Sequence, residues 1–265
     1  LGGVFGHGTF GGSFRASRRA GMAAMYSDRA LVIGAGFAGL LAARVLSESY
    51  GDVVVVERDR LTADTRHRPG LPQAHHAHTL PARGAEVLDA LLPRFGAELE
   101  NAGAVRADVG SDHLVRFPTG WAPRDHLGLS VLSATRVTIE RTVRRRVLKL
   151  PNVSLVDGVA VEGLLNDRGT VTGVRGVRGD GPFTDYADLV VDASGNAGKL
   201  VSWLAEHGVH RPAPLIVNSR ASCASRLYHV NADLRLDWKT ARETTWAPGR
   251  RRGGAVSEVT DACGS

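Results

Sequence analysis

The sequence predicts an α/β fold, and three observations carry that prediction. A β-type run, Ala30-Leu31-Val32-Ile33, leads into Gly34-Ala35-Gly36-Phe37-Ala38-Gly39. A helical stripe follows, with Leu40, Leu41, Val45 and Leu46 apolar and Ala43 small where a helix meets a sheet. Then Val53-Val54-Val55-Val56 end in Glu57. Four consecutive β-branched residues read as a central parallel strand buried on both faces. Strand, glycine turn, helix and strand in that order form a Rossmann-like dinucleotide-binding unit.

Each glycine has a separate task. Gly34 permits the tight turn after the first strand, and Gly36 lets the backbone approach a pyrophosphate. Gly39 lets the helix pack against the strand. The helix N-terminus then offers main-chain N–H groups and the positive end of its dipole to phosphate. Glu57, at the end of the second strand, is placed to accept from ribose hydroxyls. An acid there disfavours a 2′-phosphate, hence NADP, at this site.

Beyond Glu57 the elements follow in order. A polar loop runs to Gln73, and Leu80 to Phe95 read as one helix. Val105–Val109, His113–Phe117 and Leu127–Ser133 read as strands. Thr135 to Leu148 read as a helix with Ile139, Val143 and Val147 on one face. Val153–Val156, Val159–Leu165 and Thr170–Val177 read as a β-meander. Ala187–Val191 is a strand entering Asp192-Ala193-Ser194-Gly195, and a helix follows at Lys199–Glu206. Ser219–Val230 reads as a further strand, and from Asp237 onward the pattern dissolves into Gly- and Arg-rich sequence. Residues 1–28 read as a disordered leader, with Met25 as a sensible start. Residues 29–239 read as the main domain and 240–265 as an irregular tail.

Composition bounds the function. The chain has 265 residues and a formal net charge of +6, with 43% hydrophobic and 23% charged residues. No apolar run approaches the roughly 20 residues of a membrane helix. The N-terminal stretch has no apolar signal core, and Cys223 and Cys263 lack metal spacing, so a reducing, cytoplasmic setting is expected. Arginines cluster at Arg15, Arg18 and Arg19 and at Arg250, Arg251 and Arg252. Without aromatic interleaving or a recognisable motif they do not point to nucleic acid. His75, His76 and His78 lack a fourth ligand at a suitable spacing, so no metal is expected. Arg141, Arg144, Arg145 and Arg146 read as a solvated helix face.

The fingerprint, Glu57-Arg58, the Arg68-Pro69-Gly70-Leu71-Pro72-Gln73-Ala74-His75-His76-Ala77-His78 loop, Arg136 at a helix start and the Asp192-Ala193-Ser194-Gly195 turn occur in that order. In this the chain resembles the FAD-dependent monooxygenases of the aromatic-hydroxylase superfamily, nearest the branch of polyether epoxidases. The resemblance spans about Asp28 to Lys239. It implies an FAD-binding domain, with parallel sheet and β-meander, plus part of an antiparallel substrate-domain sheet. It implies that Gly34, Gly36, Phe37, Ala38 and Gly39 cradle the FAD pyrophosphate, that Glu57 holds the ribose and that Arg58 lies beside the adenine. Arg136 reaches toward FAD, Asp192 and Gly195 line its flavin side, and the Gln73 loop lies near the isoalloxazine.

The implied activity transfers one oxygen atom from O₂ to a small hydrophobic metabolite, with NAD(P)H as electron donor. The flavin carries that chemistry, so no side chain is assigned as catalytic. Two departures stand beside it. Asn196-Ala197-Gly198-Lys199 replaces the family's Arg-Gly-Ser, and no later Gly-Asp motif occurs. A truncated, inactive nucleotide-binding remnant is therefore the alternative reading, and a prenyl-chain reductase a further one. The Trp-x-Trp-x-Ile-Pro signature of halogenases is absent from the sequence.

Overall fold

The computed structural model describes residues 28–62, 72–196, 198–210, 213, 215–218, 220–231, 233–246, 248–249 and 252–259. Residues 1–27, Arg68–Leu71 of the Arg68–His78 loop, Cys263 and the clustered arginines at 15–19 and 250–251 lie outside them.

The first strand, β1 (Arg29–Ile33), leads through the glycine turn into helix α1 (Phe37–Leu46), and β2 (Asp52–Val56) follows. After a short 3-10 turn (Pro72–His75) come β3 (Ala77–Leu80), α2 (Ala82–Leu91), α3 (Phe95–Asn101) and β4 (Val105–Asp108). Next are β5 (His113–Phe117), β6 (Gly120–Trp121), β7 (Ser130–Thr135) and α4 (Arg136–Val147). The chain continues through β8 (Val153–Val156), β9 (Val159–Asp167), β10 (Thr170–Arg178), β11 (Gly181–Tyr186) and β12 (Leu189–Asp192). Last come α5 (Leu200–Glu206), β13 (Thr240–Glu243) and β14 (Gly254–Ser257).

The centre is a parallel sheet in the order β12-β1-β2-β8. Its side chains alternate between two cores. On one face Ala30, Val32, Val53, Val55 and Val153 pack with Leu40 and Ala43 of α1 and Val143 and Val147 of α4. On the other, Leu31, Ile33, Val54 and Val56 meet Val159, Leu164 and Val174 of the antiparallel β11-β10-β9 sheet and Trp203 of α5. Burial on both sides explains why β2 is a run of valines. Each fully buried side chain of this kind contributes about 1.5–3 kcal/mol. Two smaller sheets, β3-β7-β4 and β14-β13-β5-β6, complete the described architecture. The α/β, Rossmann-like architecture is therefore as the sequence predicts.

Several elements differ from the sequence expectation. Val153–Val156 pairs in parallel with Val53–Val56 and belongs to the central sheet, not to the meander. The helix read over Leu80–Phe95 is two helices. Pro93 disfavours helical geometry at Leu92, which sits at φ −133°, ψ 83°, and Arg94 turns left-handed at φ 66°. The strand read from Leu127 begins at Ser130 because Gly128 adopts φ 68°. Residues 220–231 form no strand; they have no ladder partner, and Leu227, Tyr228 and Val230 are exposed. Conversely, β13 and β14 form where no period is legible, because Thr240–Glu243 pairs in parallel with His113–Arg116 of β5.

The arginine run is not a solvated face. Arg144 is buried and lies 3.9 Å from the Glu140 carboxylate, while Arg145 and Arg146 share Glu98 at 2.6 and 2.8 Å.

Candidate functional site

At the carboxyl end of the central sheet, β1 stops and the chain turns into α1. The Gly34 amide donates to the Val56 carbonyl at 2.7 Å, and the Ala193 amide donates to the Ile33 carbonyl at 2.8 Å. The three strand ends are thereby tied to one another. This is where ligands bind in open parallel sheets.

The three glycines do different work. Gly34 sits at φ 100°, and a Cβ there would lie 2.7 Å from the Ala193 carbonyl oxygen. A Cβ on Gly39 would lie 1.8 Å from the Gly34 carbonyl oxygen. Both residues are required by the chain's own packing. Gly36 is not. Its backbone is ordinary, at φ −75°, and a Cβ there would meet nothing within 4 Å. It faces open space at the N-cap of α1, where no side chain caps the first turn.

Two side chains frame that space. Glu57 is buried, and its Oε2 accepts from the Ala35 amide at 2.7 Å while Oε1 accepts from the Asp59 amide at 2.9 Å. The carboxylate therefore holds the glycine turn against the end of β2. Arg136, first residue of α4, lies with its guanidinium 5.1 Å from the centre of the Phe37 ring. Its Nε is buried without a hydrogen-bond partner, the Glu140 carboxylate standing 3.9 Å away. Thr135 places this arginine, since its Oγ1 caps α4 by accepting from the Thr138 amide at 3.1 Å.

The second glycine turn closes the other side. Asp192 Oδ1 accepts from the Ser194 amide at 2.9 Å, and Gly195 is left-handed at φ 82°. Ala193 underlies both Gly34 and Gly39. Gly34, Gly36, Phe37, Ala38, Gly39, Glu57, Arg136, Asp192 and Gly195 thus cluster at the carboxyl end of the central sheet. Arg58 is exposed, its Nε 4.0 Å from Asp59 Oδ1. Gln73 sits in the 3-10 turn against α4 with its side chain exposed, and its carbonyl accepts from the His76 amide at 3.1 Å.

Sequence reasoning missed Glu140, which stands between Arg136 and Arg144 on α4. The four-residue spacing of these three residues was the available signal. Chemically the site is an anion cradle: uncapped helix amides, a nearby guanidinium with donor capacity, and a Cβ-free approach. It can hold a diphosphate. Among the described residues no three His, Cys, Asp or Glu converge as metal ligands, and no helix is long and apolar enough to cross a membrane.

Comparison with known proteins agrees on the fold. The family described as NAD(P)-binding Rossmann-like domain matches residues 32–94. Protein Rv3254 of Mycobacterium tuberculosis is 37% identical over 218 residues, covering 77% of this chain and 45% of that protein. PqsL, a probable FAD-dependent monooxygenase from Pseudomonas aeruginosa, superposes with a TM-score of 0.51 at 22% identity, covering 70% of this chain and 48% of its own. The p-nitrophenol 4-monooxygenase PnpA from Pseudomonas putida superposes with a TM-score of 0.50 at 20% identity, covering 66% and 42%. The chain spans less than half the length of each of these three.

Proposed function

We propose that this chain is the FAD-holding part of a flavin-dependent monooxygenase. It would act as an epoxidase or hydroxylase on a small hydrophobic metabolite, with NAD(P)H as electron donor. The observation that carries the reading is Gly36, the one fingerprint glycine whose absent side chain neither packing nor backbone geometry requires. A ligand resting on the first turn of α1 supplies the missing reason.

The residues present fit FAD. The Phe37, Ala38 and Gly39 segment would offer main-chain donors to the pyrophosphate, and the Arg136 guanidinium would add a charge-assisted donor beside it. Glu57 has further lone pairs for ribose hydroxyls while it holds the turn. Arg58, being exposed next to Glu57, is free to lie along the adenine. Asp192 and Gly195 would border the cofactor's far half, with the Gln73 turn beyond. When bound, the flavin supplies the activation of O₂, and the protein orients substrate and excludes water. No side chain is assigned as acid or base.

The flavoprotein neighbours support the flavin within this reading, although their likeness extends to fold alone. The test is direct. The purified protein should carry, or take up, a yellow flavin that heat releases as FAD, and added FAD at a hundredfold its Kd should stabilise it by about 2.7 kcal/mol. A colourless protein that gains nothing from FAD would contradict the proposal. Oxygen uptake with NADH or NADPH then separates a monooxygenase from a reductase.

A further inference from the structure

The strand β14 (Gly254–Ser257) forms one edge of the β14-β13-β5-β6 sheet, and among the described residues nothing pairs with its outer side. Which of its amides face outward follows from its neighbour. The Thr240 and Thr244 amides donate to the Asp112 and Arg116 carbonyls, on the β5 side of β13. The alternate residues of β13 therefore turn toward β14, and the Glu258 amide accordingly donates to the Lys239 carbonyl at 2.8 Å. Gly254, Val256 and Glu258 thus direct their main-chain groups inward, whereas Ala255 and Ser257 direct theirs away from the sheet.

Natural sheet edges are commonly blunted by proline, by charge or by a bulge. The outer strand of the meander, β11, carries Pro182 and Asp185. Gly254-Ala255-Val256-Ser257 carries neither, and it is regularly paired with β13 along its length. Val256 is 65% exposed, and the space above Gly254 is open, since a Cβ there would meet nothing within 4 Å. Arg252 lies two residues before Gly254 and Glu258 two residues after Val256. Both are exposed, and neither forms an ion pair with a described residue.

These features are self-complementary. When two copies of β14 run antiparallel about a two-fold axis at Ala255, the outward groups of Ala255 form the hydrogen-bonded pair on the axis. The non-hydrogen-bonded pairs, where side chains come closest, are then Gly254 with the partner's Val256 and Arg252 with the partner's Glu258. Valine enters the space that glycine leaves, and each copy contributes one cation and one anion to reciprocal cross-strand pairs. Any other register breaks both matches at once. We propose that β14 is a homodimer interface, at which two copies of this chain join edge to edge about Ala255 into one continuous sheet. It goes beyond the flavin reading and does not depend on it.

Sedimentation equilibrium over the range of soluble concentrations tests it. The wild-type chain should show a reversible monomer–dimer equilibrium. Ala255→Pro removes the outward amide on the axis and should leave a monomer. Arg252→Glu and Glu258→Arg each set like charges opposite one another in both reciprocal pairs, and each should raise the dissociation constant about tenfold. Arg252→Glu and Glu258→Arg combined should restore the wild-type value. These two positions are exposed and lie outside the paired strand, so they read the interface even where the proline disturbs β14. A wild-type chain that stays monomeric at every soluble concentration would overturn the proposal and leave the edge to a different chain. So would a dimer that survives Ala255→Pro, or a doubly reversed variant that associates no more tightly than the single ones.

Discussion

Gly36 and Gly39 look alike in a sequence motif and behave oppositely in the folded chain. Gly39→Ala forces a Cβ within 1.8 Å of the Gly34 carbonyl oxygen, so the turn must move. A loss of at least about 1–3 kcal/mol is expected in chemical denaturation, as for overpacked cores. Gly36→Val has room for its side chain, so without FAD it should lose only the roughly 0.5–1 kcal/mol of a poorer N-cap, yet it should lose all FAD-dependent stabilisation. Glu57 makes a third case. Its carboxylate serves two main-chain amides from a buried position, so Glu57→Ala should cost about 1–3 kcal/mol in cofactor-free protein, measured by urea unfolding. A cofactor-only role would leave that midpoint unchanged.

At the scale of elements, α4 links packing to chemistry. Its buried face, Ile139, Val143 and Val147, fixes it beside α1, and its N-terminus presents Arg136 to the cradle. Thr135→Ala should therefore cost about 1 kcal/mol of stability and weaken FAD binding, because the cap that positions Arg136 is lost. Undiminished FAD affinity in that variant would show that Arg136 takes no part. Elements with dense local signals were legible from sequence. The glycine turn, the valine strand and the three-residue stripe of α4 each repeat a period over consecutive residues. What failed to read depends on distant partners or on single breaks. Nothing in Thr240–Glu243 announces a parallel ladder with His113–Arg116, and the apolar run near Leu227 has strand composition but no strand partner among the described residues. Pro93 was a legible break that the surrounding leucines masked. Most of the cradle was readable because its residues belong to two glycine motifs; Glu140 left only its i, i+4 spacing to Arg136 and Arg144, which the reading of a solvated arginine face passed over.

At the scale of the molecule, the charge network sets acid tolerance. The Ser111, Leu127 and Gly110 amides donate to Asp108, outweighing the opposing effect of burial, and together with nearby His126 hold its carboxyl well below the usual range. The Asp108 amide and Lys239 lower Asp112 in the same way, against burial. Burial works against Glu98 ionisation, but Arg145 and Arg146 more than offset it and lower its pKa. All three groups bind fewer protons folded than unfolded. Their contribution is present above the unfolded carboxyl values, near pH 4, and is lost as pH falls below that. Thermal unfolding followed from pH 7 to pH 3 should show a steep acid limb, and Asp108→Asn should flatten it. An unchanged slope in that variant would remove Asp108 from this account.

The most direct test of the cradle is amide hydrogen exchange over residues 35–40, with and without excess FAD. The first-turn amides of α1 should exchange markedly more slowly when FAD is added, and Gly36→Val should abolish the change. Equal exchange in both conditions, at FAD concentrations that saturate the protein, would place the cofactor elsewhere and contradict the account.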